Sequence, residues 1–173
     1  IDWVETLHGG GHEVGWEADF WYVFALVFHR RYDTARRHIE RLARRLEREQ
    51  AADGEVPRLA DIRRRIEVLR VCVDIYTDRL ADTLGHLTRW LAERGADDPF
   101  DVATIASAAS ISLSSAFRFV DARQMCRTAQ AAIAQSGSAY GIGWVSLLTA
   151  MVGLYEGDYA AVHNELYAAL SRS

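Results

Sequence analysis

The stretch His8-Gly9-Gly10-Gly11 has the residue types of an esterase oxyanion segment, in which glycines let two backbone amides converge on a developing negative charge. That chemistry needs a nucleophile on a G-x-S-x-G elbow, and none occurs in the 173 residues. His8 and His12 stand four apart, the spacing of two metal ligands on one helix face, but the glycines between them disfavour a helix and no metal site is expected. Ser107, Ser110, Ser112, Ser114 and Ser115, in SAASISLSSAF, offer either a polar ligand surface or a close-packing helix face. Small residues let helices approach, and serine can bond to a carbonyl one turn back, so close packing is the expectation. Cys72 and Cys126 lie in apolar helical patterns without a second Cys or His at ligand spacing, and read as small core residues in a reducing compartment. No catalytic constellation assembles, and the expectation is no enzyme and no cofactor.

The elements that carry these residues are set by composition and period. Half of the residues are apolar, enough for one domain with a sizeable core. The formal charge of -4 argues against a dominant nucleic-acid surface, which needs a basic face. All 20 cations are Arg, and 13 of them fall between Arg30 and Arg70, against 8 acids. That segment reads as a solvated helical face; the alternative is contact with an acidic partner or nucleic acid. The longest uncharged apolar run, Phe20 to Phe28, is far shorter than the roughly 20 residues of a membrane span, so a cytoplasmic, soluble protein is expected. The chain opens without Met and closes in a helical pattern, as a segment of a longer protein would.

Ile39, Leu42 and Leu46 share one helix face, and Ile62, Ile66, Leu69 and Val73 another; strand-like alternation is absent. Pro57 and Pro99 fall in polar stretches and are expected in interhelix loops. About eight helices follow, near 17–30, 33–50, 58–77, 79–94, 100–117, 119–136, 139–156 and 158–172. An aromatic or Leu with a small or branched residue three later recurs after polar breaks: Tyr32 with Ala35, Leu80 with Thr83, Phe119 with Ala122, Tyr159 with Val162. The first members stand 48, 39 and 40 residues apart, a repeat of about 40. Each repeat is then an antiparallel helical hairpin (17–50, 58–94, 100–136, 139–172) over 16–173, preceded by a lead-in or linker over 1–15, and the fold is an all-α solenoid. In Gly157-Asp158-Tyr159, the glycine accepts left-handed dihedrals and the aspartate caps the next helix. Tyr159 is expected to pack back across the hairpin, so that Tyr159→Ala costs roughly 3 kcal/mol or more, with Val162 at the close approach of the two helices.

The turns Arg31-Tyr32-Asp33-Thr34-Ala35, Phe119-Val120-Asp121-Ala122 and Gly157-Asp158-Tyr159, with the repeat opening Asp98-Pro99-Phe100, resemble the tetratricopeptide-like repeats of large LuxR-family transcription regulators of the maltose-activator (MalT) type. The resemblance covers about residues 16 to 173. It implies a right-handed superhelix of about four hairpins, and a non-catalytic sensor or protein-interaction role in transcription regulation. In that family an ATP-binding domain precedes the repeats, a DNA-binding helix-turn-helix follows them, and the repeats bind a small-molecule inducer or a regulatory protein. This segment has no GxxxxGK[ST] loop and no Lys, so neither ATP nor nucleic acid is expected to bind it directly. Arg70, Val71, Asp74 and Gly153 depart from the plain tetratricopeptide pattern.

If the first helix of each hairpin lines the concave side, as in tetratricopeptide superhelices, the groove comprises Phe20, Phe24 and Phe28, then Val68 and Tyr76, then Ser107, Ile111 and Ser114, then Trp144, Leu147, Met151 and Tyr155. Aromatic walls over a small-residue floor suit a small apolar ligand or a partner helix. For any one of these residues the competing reading is core. A free-standing scaffold for peptide or protein partners is the alternative to the regulator.

Overall fold

The computed structural model describes residues 15–53, 57–79, 83–93 and 98–171. The oxyanion-like segment and the His8/His12 pair lie outside them, as does Leu80. The described residues form eight helices and no strand: α1 (Trp16–Phe28), α2 (Tyr32–Asp53), α3 (Pro57–Tyr76), α4 (Leu84–Ala92), α5 (Pro99–Ser115), α6 (Phe119–Ser136), α7 (Ala139–Glu156) and α8 (Tyr159–Leu170). The chain divides into two compact units, ending and beginning at Thr77 and Asp78. The second expected hairpin, 58–94, spans this division.

Both prolines are helical, which corrects their placement in loops: each is the first residue of its helix, Pro57 of α3 and Pro99 of α5. A first-turn residue has no intrahelical partner for its N–H, so proline loses nothing there and its fixed φ favours the start. Asp98 completes the start of α5 by accepting a hydrogen bond from the Phe100 amide at 2.8 Å. Helix α4, expected over 79–94, is shorter, at Leu84–Ala92.

The repeat has a structural counterpart in the backbone. Residues 30, 78, 117 and 157 all have left-handed φ, at intervals of 48, 39 and 40, and each lies just after the first helix of an expected hairpin. Three of these turns share one hydrogen-bond pattern. Arg31, Arg118 and Asp158 donate their amides to the carbonyls of Leu26, Leu113 and Gly153, each five residues back and each at 2.9 Å. This is the Schellman closure that ties off a helix end. The same three residues then open the next helix, their carbonyls accepting from Ala35, Ala122 and Val162. In these three hairpins the aromatic-to-small spacing in the sequence is thus the first turn of the second helix.

In the first unit, α1 and α2 form a hairpin and α3 packs on both. Ile39, Leu42, Leu46, Ile66, Leu69, Cys72 and Val73 are buried as expected, but so are Val68 and Val71, because α3 meets two neighbours and not one. In the second unit α5 packs against α4, α6 and α7, and every residue from Phe100 to Ser114 is buried. Small residues allow this crowding. Ser110 bonds to the Ser107 carbonyl at 2.7 Å and Ser114 to that of Ser110 at 2.8 Å, so the hydroxyls are satisfied within the helix. Helix α7 packs on both α5 and α6, and α8 packs on α7.

The last turn holds one expectation and corrects another. Gly157 is left-handed, at φ +79°, and Asp158 accepts from the Ala161 amide at 3.0 Å. Val162 does sit at the close approach: a Cβ on Gly153 would lie 2.9 Å from its Cγ2, so glycine is what lets α7 and α8 meet. Tyr159, however, is 72% exposed and does not pack across the hairpin. As the first helical residue, its side chain projects from the rim of the turn, and the small residue one turn later makes the contact.

Candidate functional site

The first unit holds a cavity of about 550 Å³ whose apolar wall is Trp16 and Phe20 from α1, Leu42 from α2, and Ile62, Ile66 and Leu69 from α3. Glu17, Arg58, Asp61 and Arg65 supply its charged lining. Apolar walls with a few polar groups are the usual make-up of a small-molecule site, and the volume falls in the range of such clefts.

Two arginines fix the wall. The Arg65 guanidinium lies 3.8 Å from the centroid of the Phe20 ring and pairs with Glu17, while Arg45 lies 4.4 Å from that of Trp16. Arg45 also pairs with the buried Asp19 at 3.5 Å, and Arg41 reaches the same carboxylate at 3.8 Å. Each cation therefore both stacks on a ring and neutralises an α1 acid, which holds the cavity side of α1 in place. Burial acts to raise the Glu17 pKa, but the hydrogen bonds from Arg65 and Trp21 and the Arg65 charge outweigh it, leaving the carboxyl below its ordinary 4.5. The indole N–H of Trp16 is buried without a hydrogen-bond acceptor, a deficit of the order of 1–3 kcal/mol.

Beside the cavity runs an aromatic row. Phe20 meets Phe24 at 5.4 Å between ring centroids, Phe24 meets Phe28 at 5.5 Å, Phe28 meets Tyr76 at 6.1 Å, and Tyr76 stacks on Tyr32 at 6.3 Å. The structure thus brings together four of the five first-unit residues of the expected groove, but not as an open wall. Phe20 and Phe24 are buried, Phe28 is half-buried and Tyr76 alone is exposed; Val68 is core. In the second unit Ile111, Trp144, Ser107 and Ser114 are buried, Met151 is half-buried, and Leu147 and Tyr155 are exposed. For the buried members the core reading holds. Helices packed on two sides leave little of a first-helix face open.

Sequence reasoning missed Trp16, Arg45, Arg58 and Arg65, because the arginine-rich segment reads as a solvated face. Much of it is one: Arg37, Arg44, Arg48, Arg63 and Arg70 are exposed. Arg45 and Arg65 differ in facing α1, and their partners are too distant in sequence for any local pattern to pair them. Both cysteines are free and buried. Burial pushes the Cys126 thiol up against the opposing hydrogen bonds of Ser110 and Thr149, which keeps it protonated and unreactive. Among the described residues, no group of His, Cys, Asp and Glu is placed to hold a metal, and no helix is long and apolar enough to cross a membrane.

No protein-family model, curated protein or solved structure matches the chain.

Proposed function

We propose that the chain is a non-catalytic sensor and protein-interaction region built as a right-handed superhelix of four helical hairpins, and that it belongs to a cytoplasmic LuxR-family transcription regulator with flanking ATPase and DNA-binding domains. The observation that carries the sensing role is the cavity between Trp16, Phe20, Leu42 and Ile62, with two arginine-stacked rings in its wall and an indole N–H lacking an acceptor. An inducer suited to it has an apolar, flat body and a carbonyl or carboxylate. The cavity is formed by three helices, so an occupant that fits only one packing of α1 on α3 shifts the population toward that packing, and its differential affinity sets the size of the shift.

A thermal-shift screen against small apolar metabolites bearing a carboxylate or amide tests this. A compound that raises the Tm of the wild type and not of the cavity-filling variant Ile62→Trp is expected; a Tm unmoved by every compound counts against a small-molecule site. The second reading, a scaffold for protein partners, is favoured by the exposed apolar residues of α7 and α8. In the full-length gene product, a P-loop before this segment and a helix-turn-helix after it support the regulator, and their absence supports the scaffold.

A further inference from the structure

The charged lining of the first-unit cavity sorts into a closed pair and an open one. Glu17 and Arg65 are ion-paired with each other, and the Arg65 guanidinium stacks on the Phe20 ring. Arg58 and Asp61 line the same cavity from the start of α3, and among the described residues neither forms a hydrogen bond or an ion pair. Arg65 stands four residues after Asp61, the spacing of a helix ion pair, but its guanidinium is turned to Glu17 and Phe20 and leaves Asp61 unclaimed. Arg58 and Asp61 are three residues apart, which puts them on one helix face with Cβ atoms about 5–6 Å from each other. Along this side α3 grows apolar: Arg58 and Asp61 are exposed, Ile62 is half-buried, and Ile66 and Leu69 are buried. The cavity thus has an apolar end and, at its mouth, one cation and one anion side by side.

We propose, resting on the reading of this cavity as a small-molecule site, that its occupant is a zwitterion: an α-amino acid with an aromatic side chain. Its ring lies against Trp16, Phe20 and Ile62, its carboxylate meets Arg58 and its ammonium meets Asp61. A simple acid would bring its charge beside Asp61 as well as Arg58, and a simple amine beside Arg58 as well as Asp61, so each gains from one residue and loses to the other. The head group of an α-amino acid carries both charges on substituents of one carbon, and both contacts are then charge-assisted hydrogen bonds. The guanidinium can take the carboxylate in two parallel bonds, which fixes the way round that the head group sits. The ring, and not the head group, enters the apolar end, because a charge buried there without a partner is costly.

Calorimetric titration of the chain with L-phenylalanine and L-tryptophan tests the proposal, each beside the acid that lacks its ammonium (phenylpropionate, indolepropionate) and the amine that lacks its carboxylate (phenethylamine, tryptamine). The expected result is that at least one of the two amino acids binds about tenfold or more tighter than both of its analogues. Arg58→Gln should weaken that amino acid at least about tenfold and leave the amine no weaker; Asp61→Asn should weaken it by a similar factor and leave the acid no weaker. Both positions are exposed, and far-UV circular dichroism confirms that the variants fold. An acid or an amine that binds as tightly as its parent amino acid overturns the proposal, as does an amino acid held equally by the wild type and both variants. Binding of an acid alone, lost in Ile62→Trp, overturns the zwitterion while leaving the cavity a small-molecule site. No binding by any of these compounds overturns the proposal as well, and the wider thermal-shift screen then judges the cavity on its own.

Discussion

Gly153 departs from the large aromatic expected at its register position, and its geometry explains why: the Val162 side chain occupies the space where a side chain would begin. Gly153→Ala is expected to cost about 1–3 kcal/mol, by the usual scale of overpacking. Tyr159→Ala, at the exposed rim of the same turn, is expected to change stability by less than about 0.5 kcal/mol. Urea unfolding of both variants at low protein concentration checks the pair, and a larger loss for Tyr159→Ala contradicts the packing described. At Glu17, a folded pKa below the ordinary value means that its carboxylate stabilises the fold at neutral pH. The contribution is fully present above the ordinary carboxylate range and is lost as pH falls through the folded value. The wild type should therefore lose more stability on acidification than Glu17→Gln, and parallel curves of Tm against pH contradict the pairing with Arg65.

The helical turns show how an element can be specified without its most familiar residue. Of the four left-handed positions that follow the first helices of the hairpins, only Gly157 is glycine; Arg30, Asp78 and Phe117 hold the same backbone region at a cost that glycine avoids. Arg30→Gly and Phe117→Gly are each expected to stabilise the protein by about 0.5–1 kcal/mol, visible as a rise in Tm. A fall in either would show that the side chain is needed at its turn. These turns also explain what could be read beforehand. The aromatic-to-small spacing was legible because Ala35 and Ala122 are fully buried, whereas the left-handed residues before them gave no signal because they are not glycine. The helix limits of α6 and α7 were legible from their Ser-Gly-Ser and Gly-Asp breaks. The limits of α5, expected near 100–117, were nearly as legible, but its burial on every side was not, since a helix covered on several sides has no polar face from which to read a period. The cavity was harder still. Phe20 was visible as an aromatic at helical spacing, but Arg65, which lines the cavity, and Arg45, which stacks on its Trp16 wall, face α1 only once three helices have packed.

At the scale of the molecule, the chain is two compact helical units with left-handed turn residues at intervals of 48, 39 and 40. They differ in what they offer. The first has a cavity with aromatic and arginine walls; the second has exposed leucines on its last hairpin. A sensor needs both kinds of feature, a place where a molecule changes packing and a surface through which packing is communicated. The most direct test of sensing is calorimetric titration of the compound that most raises Tm into the wild type and into Ile62→Trp, after circular dichroism has shown equal helix content. The account predicts one bound molecule per chain in the wild type, with affinity weakened at least about tenfold in the variant. Equal affinity for both proteins would contradict it.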